Sequence, residues 1–211
     1  MSAPDAVWTE TPAGRPTQRR RPIAWLLRSL KIAALGLGLT GGSIGTYWGV
    51  LQYQGNLHAV GGGTLYRSAQ LSKAEFAAAA QRYGIKSVLN LRGGHPGQAW
   101  YDDEIAAAGA LGLAHYDIAL SAKRVVGPEQ ITEILDVLRR APKPLLVHCR
   151  SGSDRSGLVA ALYRFAEAGA TAEEAAGELS LLYGHFPYLT SRSGAMDESF
   201  RGFAAGAASQ H

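Results

Sequence analysis

Apolar positions change their spacing repeatedly along this chain, and each change marks an element. Residues 32–51 (IAALGLGLTGGSIGTYWGVL) carry no charge at all. A helix of that length rises about 1.5 Å per residue and reaches about 30 Å, the thickness of a bilayer's hydrocarbon layer. Tyr47 and Trp48 stand near one end, with Arg28, Lys31 and Trp25 near the other. Glycines 36, 38, 41, 42 and 45 suit a membrane helix better than a soluble one. The expectation is a single transmembrane anchor over residues 23–53. A disordered basic tail (1–22) precedes it and a catalytic domain (54–211) follows.

Beyond residue 63 the period alternates between strand-like and helix-like. Leu65–Arg67 reads as a strand. Ser72 with Glu75 has capping-box spacing and opens a helix running to Tyr83, closed by Gly84. Residues 85–91 (IKSVLNL) form a strand, 102–110 a helix and 113–118 a strand. Pro128 starts a helix to Arg140, and 145–147 is a short buried strand. A helix from Ser156 ends at Gly169, and Thr171 with Glu174 caps another running to Tyr183. Strands alternating with helices predict an α/β fold with a mixed or mostly parallel central sheet flanked by helices.

Charge narrows the function. The net charge is +4, and residues 1–31 account for all of it, with six basic and two acidic residues. A nucleic-acid-binding fold needs its positive charge on the folded body, so nucleic acid is not an expected partner. The Arg cluster at 19–21, with Arg28 and Lys31, orients the N-terminus inward. Thus the expected location is a bacterial inner membrane, spanned by 32–51, with the catalytic domain periplasmic. Cys149 is the single cysteine, so no internal disulfide forms. The six histidines show no metal-ligand spacing, and no metal or other cofactor is expected.

The chemistry concentrates in Val147-His148-Cys149-Arg150-Ser151-Gly152-Ser153-Asp154-Arg155-Ser156-Gly157. A strand ends, a short loop follows and a helix begins. Such a loop aims several backbone N–H groups at one point, which suits a phosphate dianion held by residues 150–155. Gly152 allows the tight turn, and Arg155 offers a planar fork to two phosphate oxygens. The helix start and the guanidinium favour the Cys149 thiolate. A thiolate in a phosphate cradle is a nucleophile aimed at phosphorus. Ser156 is positioned to hydrogen-bond the sulfur as it leaves, and His148 to support the loop from behind.

His-Cys-x5-Arg-Ser resembles the signature of the protein-tyrosine-phosphatase superfamily. Residues 57–203 also look like the bacterial dual-specificity type, through Leu-Tyr-Arg-Ser-Ala-Gln (65–70) and Asn-Leu-Arg (90–92). The resemblance implies a phosphocysteine intermediate, no metal, and a phosphotyrosine-type protein substrate, or alternatively a phosphoinositide or other phospholipid. It leaves the general acid open. Asp154 lies inside the loop and Asp117 lies 32 residues before Cys149, while Asp102 and Asp103 are further candidates. Residues 121–127 hold no acid. Two rival functions stand beside the phosphatase: a non-enzymatic phosphate-binding interaction module and a rhodanese-like sulfurtransferase.

Overall fold

The computed structural model describes residues 21–188 and 191–209. The expected tail at 1–22 lies outside them except for Arg21 and Pro22, which open helix α1 (Arg21–Tyr53). By its internal contacts the chain forms two units, 1–45 and 46–211. The last turns of α1, from Thr46 onward, fall in the second unit.

The membrane anchor requires correction. Residues 32–51 are helical, but no helix among the described residues is long and apolar enough to cross a membrane. At 33 residues α1 has the length. Its apolarity is diluted by the same glycines, and by Thr40, Ser43 and Thr46, that interrupt the aliphatic residues.

Five strands build the sheet of the larger unit: β1 (His58–Val60), β2 (Leu65–Ser68), β3 (Ser87–Asn90), β4 (Ala114–Asp117) and β5 (Leu145–His148). Their order is β1-β2-β5-β3-β4. β1 pairs antiparallel with β2, and the remaining pairs are parallel. Side chains alternate between the two faces as strand geometry requires. Leu65, Leu89, Leu145 and Val147 pack into one core with α4 (Pro128–Arg140), α5 (Asp154–Ala166) and α7 (Gly194–Ala208). Val88 and Leu146 face the other way, against Phe76 and Ala80 of α2 (Lys73–Tyr83) and Ala107 and Ala108 of α3 (Ala99–Ala110). This is the expected α/β fold, a mixed sheet with helices on both faces.

Local signals account for most boundaries. Ser72 and Thr171 both form complete capping boxes. Two elements differ from expectation. The helix capped by Thr171, α6 (Ala172–Ala176), stops after five residues at Gly177, and Glu178 turns inward instead of continuing it. α7 was not anticipated. Its glycines 194, 202 and 206 and many alanines give a weak helical signal, while Met196, Phe200 and Ala204 supply its buried face.

Candidate active site

β5 is the central strand, and Cys149 follows its last residue, beyond the carboxyl ends of β2, β3 and β4. Ligands bind at this edge of an open α/β sheet. The loop from Arg150 to Ser153 then turns into α5.

The carbonyls of this loop are all tied to the protein around it. Arg150 O accepts from Gln70 N (3.3 Å). Ser151 O accepts from Gln52 Nε2 (2.9 Å) and Asn56 Nδ2 (3.0 Å). One nitrogen of Arg67 donates to Gly152 O (3.0 Å) and Ser153 O (2.8 Å). In a planar trans peptide the C=O of one residue and the N–H of the next point in opposite directions. Fixing four carbonyls outward therefore turns the N–H groups of residues 151–154 inward. Gly152 N demonstrates it by donating to Cys149 Sγ at 3.3 Å. The result is a ready cradle for an anion.

Gly152 has φ +73°, and a Cβ there would lie 2.6 Å from Ala69 N and 2.7 Å from Ser68 C. Only glycine fits between the loop and the end of β2.

Cys149 is buried, with 1% of its surface exposed. Burial pushes its thiol up. The Arg155 guanidinium, the Ser156 N–H and hydroxyl, and the Ser151 N–H outweigh that and hold it below the ordinary value. Ser156 Oγ lies 3.6 Å from the sulfur. Arg155 is anchored by Leu91 O (3.1 Å) and Leu120 O (3.2 Å), the backbone just beyond β3 and β4. A sulfur with a lowered pKa, inward N–H donors and an anchored guanidinium thus gather around this loop.

Behind the loop, His148 Nε2 is 3.0 Å from Glu104 Oε1, which also meets His115 Nε2 at 2.9 Å. Gln70 Nε2 donates to Glu104 Oε2 at 2.8 Å. Burial opposes the Glu104 charge, yet the two histidines and Gln70 prevail and lower its pKa to about 2.

The four acid candidates occupy different positions. Asp117 accepts from Asn90 Nδ2 (2.7 Å) on one oxygen and from Tyr101 OH (2.6 Å) on the other. The Tyr101 phenol is pushed up to about 12, chiefly by that bond. Asp102 accepts from Gly97 N, and Asp103 pairs loosely with Lys73 at 3.9 Å. These contacts lie within the segment from Gly97 to α3 and between α3 and α2. Asp154 meets His185 Nδ1 through Oδ1 at 2.6 Å and lines a cavity of about 270 Å³ with Lys123 and Arg192. His185 is fully buried, and its Nε2 meets Asp197 Oδ2 at 2.8 Å. Burial lowers the imidazole's pKa, but the two carboxylates override it and raise the value.

Sequence reasoning left Arg67 and Glu178 without a role. Arg67 is fully buried and also donates to Glu178 O (2.7 Å) and Glu178 Oε2 (3.0 Å), with its guanidinium 4.2 Å from the Tyr183 ring centre. An arginine inside an otherwise strand-like run was the available signal, since a charge is buried only when paired.

Comparison with known proteins now bears on this geometry. A tyrosine phosphatase family model matches residues 112–176. Dual specificity protein phosphatase TpbA of Pseudomonas aeruginosa is 33% identical over 162 residues, 71% of this chain and 69% of that one. The chain belongs to the tyrosine/dual-specificity phosphatase family. It is accordingly a phosphatase, and the interaction-module and sulfurtransferase alternatives fall away. A crystal structure of P. aeruginosa TpbA in complex with pTyr is similar with a TM-score of 0.49 and 26% identity, covering 69% of this chain and 86% of that one. The core catalytic domain of SIW14, a PP-IP phosphatase from S. cerevisiae, aligns with a TM-score of 0.50 and 19% identity over 72% of this chain and 91% of that one. At that identity the second match speaks to the family's fold alone.

Proposed function

We propose that this phosphatase hydrolyses phosphotyrosine-type phosphomonoesters of proteins through a phosphocysteine at Cys149, with Asp154 as general acid. The observation that carries this reading is the cradle: inward N–H groups and Arg155 surround a sulfur whose pKa is held down. The 33% identical relative is a dual specificity protein phosphatase, which supports a protein substrate.

In the first step the thiolate attacks phosphorus. An S–P bond forms as the P–O bond to the tyrosine oxygen breaks, and Asp154 gives its proton to that oxygen. Water then attacks the phosphocysteine and loses a proton to Asp154. The S–P bond breaks, the sulfur leaves as thiolate beside the Ser156 hydroxyl, and inorganic phosphate is released. Asp154 is preferred because Asp117 has a short hydrogen bond on each of its two oxygens, whereas the short contact of Asp154, to His185, is on Oδ1, and Asp154 sits within the loop beside Arg155.

Leaving-group dependence tests the assignment. Asp154→Asn slows phenyl phosphate by about 100-fold and para-nitrophenyl phosphate, whose leaving group needs little protonation, much less. If Asp117→Asn shows that pattern and Asp154→Asn does not, the acid is Asp117. Phosphotyrosine peptides outperforming phosphoinositides in turnover is the expected substrate ranking, and the reverse ranking rejects the protein substrate.

A further inference from the structure

The cradle does not use all the positive charge gathered at its mouth. Arg92 follows Leu91, whose carbonyl anchors Arg155. Its own NH1 donates to Gln70 Oε1 at 3.1 Å, and the backbone N–H of that same Gln70 donates to Arg150 O at 3.3 Å. Arg150 and Arg155 belong to the Cys149 loop and its helix, and both are close enough to Arg92 for their charges to act on it.

Arg92 is held rather than left to wave in solvent. Its guanidinium lies 3.3 Å from the centre of the Trp100 ring, and its backbone N–H donates to Asn90 Oδ1 at 2.9 Å, which fixes the chain that carries it. Gln70 is itself fixed by Glu104. The Gln70 and Trp100 contacts orient the fork without neutralising it. Among the described residues, the arginines in ion pairs are 67, 139 and 164, and no carboxylate lies within pairing distance of Arg92, Arg150 or Arg155. Burial first, then Arg155 and Arg150, lower the Arg92 pKa below its ordinary value, so the crowding costs free energy when no anion is bound. Arg155 and the loop N–H groups already meet the scissile phosphate. A pre-oriented planar fork beside them matches a second, separate oxyanion.

We infer that Arg92 and Arg150 form a second anion subsite, which reads a carboxylate flanking the phosphotyrosine of the substrate peptide. The inference rests on the phosphotyrosine activity proposed above. Trp100, stacked beneath Arg92 and half-buried, supplies an apolar wall for the stem of an acidic side chain.

Three phosphotyrosine peptides, identical except for Glu, Gln or Lys beside the phosphotyrosine, test it. Their binding to the full chain carrying Cys149→Ser is measured by fluorescence anisotropy. The Glu peptide is expected to bind about tenfold tighter than the Gln peptide, equivalent to about 1.4 kcal/mol. Adding Arg92→Gln or, separately, Arg150→Gln is expected to bring the ratio below about twofold. A ratio cancels any general weakening of the site, and the Arg150 variant covers the case in which Arg92→Gln disturbs folding. Equal binding of Glu and Gln peptides, or a preference that survives both substitutions, overturns the subsite. A soluble bisphosphorylated inositol headgroup that outcompetes the Glu peptide assigns the second anion to phosphate and overturns the peptide reading. Turnover of the Gln peptide by the intact enzyme, measured in parallel, reports on the activity itself and separates its failure from that of the subsite.

Discussion

Replacing Arg67 with methionine probes how the cradle is built. The side chain donates to Glu178 O, Glu178 Oε2, Gly152 O and Ser153 O, all within 3.0 Å, and none of it is exposed. Methionine fills similar space but satisfies none of these acceptors. Removing one partner of a buried ion pair costs about 3–5 kcal/mol. Arg164 NH1 stays 3.6 Å from the other Glu178 oxygen, which sets the expectation at the lower end of that range. Anion binding is affected separately. The N–H groups of Ser153 and Asp154 point inward because Arg67 holds the carbonyls before them. Losing the direction of two charge-assisted hydrogen bonds at about 1.5 kcal/mol each amounts to about 3 kcal/mol, or about 100-fold in affinity. Urea unfolding measures the first effect and vanadate titration of the folded variant the second. A folded Arg67→Met variant that binds vanadate within about threefold of the natural chain would refute this account of the loop's orientation.

The other expectations concern the same loop and its support. Gly152→Ala forces the backbone away from Ser68 and Ala69 and is expected to reduce kcat/KM by at least about 100-fold, since a folded cradle cannot keep this φ and this clearance; near-normal kinetics would show that the loop relaxes freely. Ser156→Ala removes a group that lowers the Cys149 pKa, so the acid limb of the kcat/KM profile should move to higher pH; an unmoved limb excludes the hydroxyl from thiolate stabilisation. Glu104 has a folded-state pKa of about 2, below its ordinary value of 4.5. Its contribution is therefore present above about pH 4.5 and lost as pH falls towards 2. Denaturation of the natural chain minus that of Glu104→Gln across this window should show a difference of about 3 kcal/mol disappearing with acid; a difference independent of pH contradicts the assignment.

What could be read in the sequence was what is local. The strand, turn and helix around Cys149 lie within one short run, and the capping boxes at Ser72 and Thr171 each span four residues. The sheet and its two helical faces followed from period alone. The supports of the loop were not legible because they come from far along the chain. Glu178 lies 111 residues from Arg67, His148 44 from Glu104, and His185 31 from Asp154. No spacing rule links such pairs. The three-residue strand β1 was missed because its residues, His-Ala-Val, carry no alternation long enough to register. The start of α5 was set two residues late, since Asp154 and Arg155 read as loop chemistry although they form the first helical turn. The anchor was read from length, absence of charge and aromatic and basic flanks, with its glycines counted in favour, whereas those glycines and the hydroxyl side chains among them lower the apolarity a span requires.

The central claim is a covalent phosphoryl group on one sulfur. Rapid acid quench during turnover of para-nitrophenyl phosphate, followed by peptide mass spectrometry, measures it directly. The account predicts a phosphoryl adduct on the Cys149 peptide of the natural chain, stronger in Asp154→Asn because that variant also lacks the base that activates water, and absent from Cys149→Ser together with all turnover. Turnover persisting in Cys149→Ser, or an adduct found on any other residue, would contradict it.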